Sequence, residues 1–249
     1  VKQAFSGEGL QAILKLSVIY IFVAFFWALY DQTGSAWVLQ AENMDRFIFN
    51  YEILPSQVQA INPLLILLYI PLFTYFVYPA INRVFTLNPL RKIGIGFFIT
   101  ASAFATTAFA EGLIEQGMVP SIGWQLAAFA LITAGEVMVS ITALEFSYTQ
   151  APHTMKSIIM AIFLCSVSLG NAFTAAVNFF IQNPDGTSKL TGPEYYWFFT
   201  ITMLVVATIY IFVSKNYKEK TYIHGEGEED LIKDQEVADP RDLAPSHLS

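Results

Sequence analysis

Six stretches of twenty or more mainly apolar residues alternate with short polar segments along this chain: Ile13–Leu39, Asn62–Asn82, Pro89–Phe109, Ile122–Ser147, Met155–Gln182 and Tyr195–Ser214. About 20 apolar residues in a helix cross a hydrocarbon layer, so each stretch is long enough to span a bilayer. Turn and breaker signals separate them: Pro55 and Pro63, Asn88-Pro89, Gly117 to Pro120, Ala151-Pro152, and Asn183-Pro184-Asp185-Gly186. Soluble core helices of this length carry a polar face, and these do not. The pattern predicts an all-α membrane protein built as a six-transmembrane-helix bundle, with a lead-in over 1–12, the bundle over 13–214 and a tail over 215–249.

Composition agrees. Hydrophobic residues make up 55% and charged residues 13%, where a soluble domain carries roughly 25% charged. Eight acids against two cations after Gly225 account for six of the seven net negative charges. The remainder is nearly neutral, with no basic stripe for phosphates, which excludes nucleic acid as a partner. The tail reads as a disordered cytoplasmic appendage.

Orientation follows from the lysines and arginines, which concentrate in cytoplasmic loops. With the N-terminus inside, eleven of them fall on inner segments, and only Arg46 and Lys189 lie outside. Both termini are therefore expected in the cytoplasm, and the expected location is a bacterial inner membrane. Val1–Gly9 shows no cleavable signal pattern, and a first residue other than methionine fits an origin in a longer chain.

Cys165, the single cysteine, has no metal-ligand neighbour and reads as a small packing residue. Gly94-Ile95-Gly96 lacks the strand and third glycine of a dinucleotide fingerprint. Small residues such as Ala101-Ser102-Ala103 and Gly170-Asn171-Ala172 read as close-packing devices between helices. No cofactor or metal is expected.

Ionisable groups at membrane depth are costly and point to function. Two acids lie well inside these spans, Asp31 and Glu136. In the first span Trp27, Tyr30, Asp31, Gly34 and Ser35 recur at the spacing of one helix face, combining an aromatic wall, a carboxylate and a bare spot. In the fourth, Glu136, Ser140, Ala143 and Ser147 share a face, while Glu145, nine residues beyond Glu136, points about 180° away. Glu145 suits a solvated or capping role. Asn62 either caps a helix or hydrogen-bonds a polar ligand. Tyr195, Tyr196 and Trp197 mark a membrane interface.

The runs Phe25-Phe26-Trp27-Ala28-Leu29-Tyr30-Asp31-Gln32-Thr33-Gly34-Ser35, Gly135-Glu136 and Glu145-Phe146-Ser147-Tyr148-Thr149-Gln150-Ala151-Pro152 resemble the proton-dependent oligopeptide transporter family of the major facilitator superfamily. Ile61-Asn62-Pro63 and Met155-Lys156-Ser157 fit the same alignment. The resemblance covers spans seven to twelve of a twelve-span transporter; the first-half motif of glutamates, an arginine and paired tyrosines is absent. It implies proton-coupled symport of di- and tripeptides by alternating access, with an N-terminal six-helix half, protons and the lipid bilayer as partners. It further implies that Glu136 receives the peptide ammonium and takes part in proton coupling. Trp27, Tyr30, Asn62 and Ser140 line the cavity by the same resemblance, and Asp31 couples the external gate to protonation. Phe163 stands where the family often has tryptophan, which leaves a wider aromatic cavity.

Three other readings compete. Tyr30-Asp31 could belong to an intramembrane aspartyl protease, but the required Gly-x-Gly-Asp run is absent, so no enzyme is expected. Another major facilitator cargo (nitrate, an amino acid or a drug) is the nearest rival, and Glu136 weighs against nitrate because like charges repel. A non-transporting half-bundle with a structural role is the third.

The orientation is tested by cysteine labelling in a Cys165→Ser background. A cysteine placed near Arg83 should resist a membrane-impermeant reagent added outside, and one near Gly117 should react; the reverse pattern would overturn the topology.

Overall fold

The computed structural model describes residues 7–150 and 155–217. The acidic tail, Lys2, Lys218, Lys220, Lys233, Arg241 and the Ala151-Pro152 boundary lie outside the described residues. Hydrocarbon offers the backbone no hydrogen-bond partners, so a spanning chain must satisfy its amides internally. The chain does so with six spans, Leu10–Glu42, Pro55–Asn82, Pro89–Glu115, Gly123–Thr149, Lys156–Ile181 and Pro193–Lys215. Most run past the boundaries expected from hydropathy, because helical hydrogen bonding continues into the polar interface where apolar character has ended.

Three spans are single helices: α5 (Pro89–Glu115), α8 (Lys156–Ile181) and α9 (Pro193–Lys215). The other three are interrupted. Span one is α1 (Gly7–Tyr30), a 3₁₀ turn (Asp31–Gly34) and α2 (Ala36–Glu42). Side chains cover carbonyls near this break: the Gln32 amide donates to Ala28 at 2.8 Å, the Gln125 amide to Trp37 at 2.7 Å and the Tyr196 hydroxyl to Ala36 at 3.0 Å. Span two enters through a 3₁₀ turn (Pro55–Ala60) and continues as α3 (Ile61–Leu72), a π turn (Phe73–Val77) and α4 (Tyr78–Asn82). A proline ring clashes with the carbonyl four residues back, and for Pro79 that carbonyl belongs to Tyr75, inside the widened turn. Span four is α6 (Gly123–Glu136), a second π turn (Val137–Ile141) and α7 (Thr142–Thr149). No proline marks this turn; it forms where Met138 and Val139 press on Gly96 of α5.

The bundle centres on α5, which packs along α9 and α6, while α1 packs along α8. Outside the membrane, a two-stranded hairpin, β1 (Phe47–Ile48) with β2 (Tyr51–Glu52), is tied by the Arg46–Glu52 ion pair at 2.5 Å. Asp45 joins the loop between spans three and four through backbone bonds to Pro120 and Ile122.

Small residues set the helix distances. Gly96 and Gly135 face each other, and a Cβ on Gly96 would lie 2.6 Å from a Val139 methyl. Gly170 of α8 abuts α1, where a Cβ would lie 2.8 Å from the Ala28 nitrogen and nearer still to the Ala24 carbonyl oxygen. The Thr174 hydroxyl, one turn on, donates to the Ala28 carbonyl at 3.0 Å. Cys165 is exposed on α8 instead of packing inside the bundle.

Because the atoms facing Gly170 are backbone and cannot swing aside, Gly170→Val should force α1 and α8 apart. Overpacking costs about 1–3 kcal/mol, readable as a lower midpoint of thermal unfolding in detergent; an unchanged midpoint would contradict the close approach.

Candidate functional site

Three interrupted spans deliver the polar groups of the site. Tyr30 is the last residue of α1, Asn62 the second of α3 and Glu136 the last of α6. The Asn62 amide nitrogen donates to the Tyr30 hydroxyl oxygen at 2.6 Å and to the Glu136 carboxylate at 3.3 Å. The Tyr30 hydroxyl is itself hydrogen-bonded to Glu136. The Thr133 hydroxyl, one turn before Glu136, donates to the Asn62 amide oxygen at 2.6 Å. The carboxylate is thus held by two neutral groups, and one of these is oriented from behind. Asn62, buried and tied to three partners, does not act as a helix cap.

Among the described residues Glu136 forms no ion pair. The Arg46–Glu52 ion pair lies elsewhere, at the β1–β2 hairpin. Asp31, adjacent to Tyr30, lies within electrostatic range of Glu136 but hydrogen-bonds Asn171 of α8. The 3₁₀ turn that begins at Asp31 separates its direction from that of Tyr30. Gly34, expected beside the site, lies against the Gln59 side chain, 3.6 Å from where a Cβ would stand.

An aromatic wall adjoins these groups. The Trp27 ring lies edge-on to Tyr30 at 5.4 Å and to Phe163 at 6.0 Å, and Phe26 stacks on Tyr30 at 5.6 Å. The indole N–H of Trp27 is buried without a hydrogen-bond partner among the described residues. Such a donor is costly unless something accepts from it.

Ser140 is part-buried within the π turn that follows Glu136. That turn changes the geometry expected beyond it. A π bulge adds one residue to a turn and rotates the rest of the helix by about 100°, so the offset between Glu136 and Glu145 falls from about 180° to roughly 80°. The two acids remain apart: Glu145 is exposed and lies near Tyr78. Ser147, expected to share the face of Glu136, instead accepts a bond from Tyr20 of α1 at 2.7 Å and donates to Ala143.

Two polar groups escaped the reading of the sequence. Thr133 precedes Glu136 by three residues, the spacing of one helix face, and that spacing could have found it. Glu111 was passed over because span three was ended at Phe109. The helix continues to Glu115, and Gln40 donates to the Glu111 carboxylate at 2.7 Å and to the Thr107 carbonyl at 3.0 Å.

Comparison with known proteins adds an independent line. Residues 2–198 match the family model described as PTR2: POT family. The chain is 30% identical to the Saccharomyces cerevisiae peptide transporter PTR2 over 198 residues, which is 74% of this chain and 32% of that protein. It is 39% identical to peptide transporter 3 of Caenorhabditis elegans over 118 residues, 47% of this chain and 17% of that one. Among solved structures, an auto-inhibited POT family peptide transporter superposes with a TM-score of 0.81 at 30% identity, covering 88% of this chain and 43% of that chain. The POT family transporter PepTSo gives 0.77 at 34% identity, over 84% and 42% respectively. The chain therefore spans less than half the length of these proteins.

If Thr133 serves by orienting Asn62, the two residues must be energetically coupled. Thr133→Val should lower stability by about 1–3 kcal/mol, the cost of an unsatisfied buried acceptor. In an Asn62→Ala background the same change should cost at least about 0.5 kcal/mol less. Additive losses in chemical unfolding would show that the pair does not act as a unit.

Proposed function

The chain belongs to the POT family, and we propose that it forms one wall of the central cavity of a peptide transporter. The relatives that identify the family are named as peptide transporters and not as enzymes. In this reading the missing wall is an N-terminal six-helix half. The assembled protein moves di- and tripeptides by alternating access, driven by inward proton movement. Its multi-pass membrane nature follows from the six spans and the family. We place both termini in the cytoplasm. The relatives include yeast and nematode proteins, and the bacterial inner membrane expected from the sequence is one of the plasma membranes this reading admits.

The observation that carries the reading is the Glu136 carboxylate, held by Asn62 and Tyr30 with no cation paired to it among the described residues. A carboxylate at membrane depth is stabilised by a proton or by a positive charge. A peptide ammonium supplies that charge, and so does a proton when the cavity is empty; one group could thus couple the two. Asp31, bonded to Asn171 of α8, is the second acid of this scheme and the one assigned to the external gate. The wall of Trp27, Tyr30 and Phe163 presents apolar surface to varied side chains, and the unpartnered Trp27 indole N–H is available to a peptide carbonyl. Ser140 lines the inner side.

The open faces support a second half. Of the most apolar stretch of span two, 6% is buried, against 61% in spans three and four. Leu67 in span two and Phe179 in span five are 72% and 74% exposed. In the reading proposed here, the N-terminal half covers these faces.

The test compares peptide binding by the assembled transporter before and after Glu136→Gln. The amide keeps size and hydrogen bonding but loses charge. A hydrogen bond to a charged partner contributes about 1.5–3 kcal/mol, so affinity for a free dipeptide should fall roughly ten- to a hundredfold. An N-acetylated dipeptide, lacking the ammonium, should bind about equally to both proteins. The same fold loss for both ligands would make Glu136 structural and remove the main support of this function.

A further inference from the structure

A cavity unrelated to the Glu136 cluster opens between α5 and α9, at the membrane end shared by Arg91 and Lys215. It has a volume of about 480 Å³. Its mouth is polar and positive: Arg91, Lys215 and Ser214 line it, and both cations are exposed. Its inner part is apolar, with Phe98 and Ile211 on the two walls and Tyr210 at the floor beside Gly94. Arg91 and Phe98 are seven residues apart on α5, so the slot runs about 10 Å from the charged rim into the membrane.

The Arg91 guanidinium donates to the Thr86 carbonyl, a neutral group, and neither Arg91 nor Lys215 forms an ion pair among the described residues. Lys92, next in sequence, is directed elsewhere, over the Tyr78 ring at 4.1 Å. The surrounding surface is apolar on both helices, with Phe98, Phe212 and Ile209 exposed.

We propose that this cavity is a binding site for an anionic phospholipid of the cytoplasmic leaflet. The phosphate sits between Arg91 and Lys215, and the glycerol and upper acyl chain lie in the slot beside Phe98 and Ile211. Three features select this occupant. The cations lie at the end of the bundle that carries the excess of lysine and arginine, and anionic lipids concentrate in the leaflet facing that end. Two cations match one phosphate at headgroup level. The apolar slot below them runs at hydrocarbon depth, where an acyl chain enters without penalty but a soluble phosphate or the acidic segment Glu226–Asp242 would leave it unfilled. The inference is independent of the peptide reading, and its failure would leave that reading untouched.

The test is native mass spectrometry of the purified chain in neutral detergent, titrated with palmitoyl-oleoyl-phosphatidylglycerol and, separately, with the phosphatidylcholine of the same chains. Each cation contributes about 1 kcal/mol near the surface, equivalent to roughly fivefold. Phosphatidylglycerol should be preferred at least about tenfold, and the double change Arg91→Gln with Lys215→Gln should abolish the preference. Either single change should reduce it about fivefold and serves if the double variant fails to fold. Arg83→Gln, which alters an exposed cation outside the cavity, should leave it intact. Millimolar inorganic phosphate should not displace the lipid. Equal binding of the two lipids, an unchanged preference in the Arg91 and Lys215 variants, or displacement by inorganic phosphate overturns the proposal. Displacement by an equimolar peptide spanning Glu226–Asp242 would assign the cavity to the tail and overturn it equally.

Discussion

A carboxylate at membrane depth is costly unless it is paired or hydrogen-bonded, and three spans of this bundle meet where Glu136 is held. Its donors come from two other spans, Tyr30 of span one and Asn62 of span two, with Thr133 fixing Asn62 from one turn earlier on the same helix as Glu136. All three of these spans are the interrupted ones. The 3₁₀ turn follows Tyr30 directly and the π turn follows Glu136 directly. Helices that must present polar groups to one another at a common point depart there from regular winding, which membrane proteins accept where the freed carbonyls find other donors. Around this point the remaining helices supply the frame, with α5 against α6 and α9, and α1 against α8 through glycine contacts that no side chain could enter.

The same frame leaves two kinds of surface. Spans two and five carry broad apolar faces with little cover, on the side from which a complementary half would meet the Glu136 cluster in the reading proposed here. Between α5 and α9 the surface instead combines two cations, unpaired among the described residues, with an apolar slot, which is where the lipid proposed above would bind.

Much of this was legible in the sequence, and the exceptions have physical causes. The six spans could be read because apolar runs of this length have few alternatives, and Glu136 stood out because a lone acid inside such a run is costly. Span ends were drawn too tightly, since hydropathy marks the hydrocarbon edge and hydrogen bonding continues beyond it; Glu111 was lost on that account. Constant helical winding misdirected Ser147 and the offset of Glu145, because the π turn after Glu136 carries no proline to announce it. The hydrogen bonds of Asn62 could not be read from its own span. Local sequence left cap and ligand roles equal, and only the convergence of three spans brings Tyr30, Thr133 and Glu136 to one amide. Cys165 was misread for a related reason: a small residue in an apolar span can face either a neighbouring helix or the outside, and α8 turns it outward.

The central claim is that Glu136 is the group that meets a peptide's positive end. Solid-state magnetic resonance on the assembled transporter, with nitrogen-labelled amine in a bound dipeptide and carbon-labelled glutamate side chains, measures that contact directly. The account predicts a dipolar coupling between the amine and the Glu136 carboxyl carbon corresponding to hydrogen-bonding distance, about 4 Å or less from nitrogen to carbon. A coupling confined to another acid, with Glu136 showing none, would contradict it.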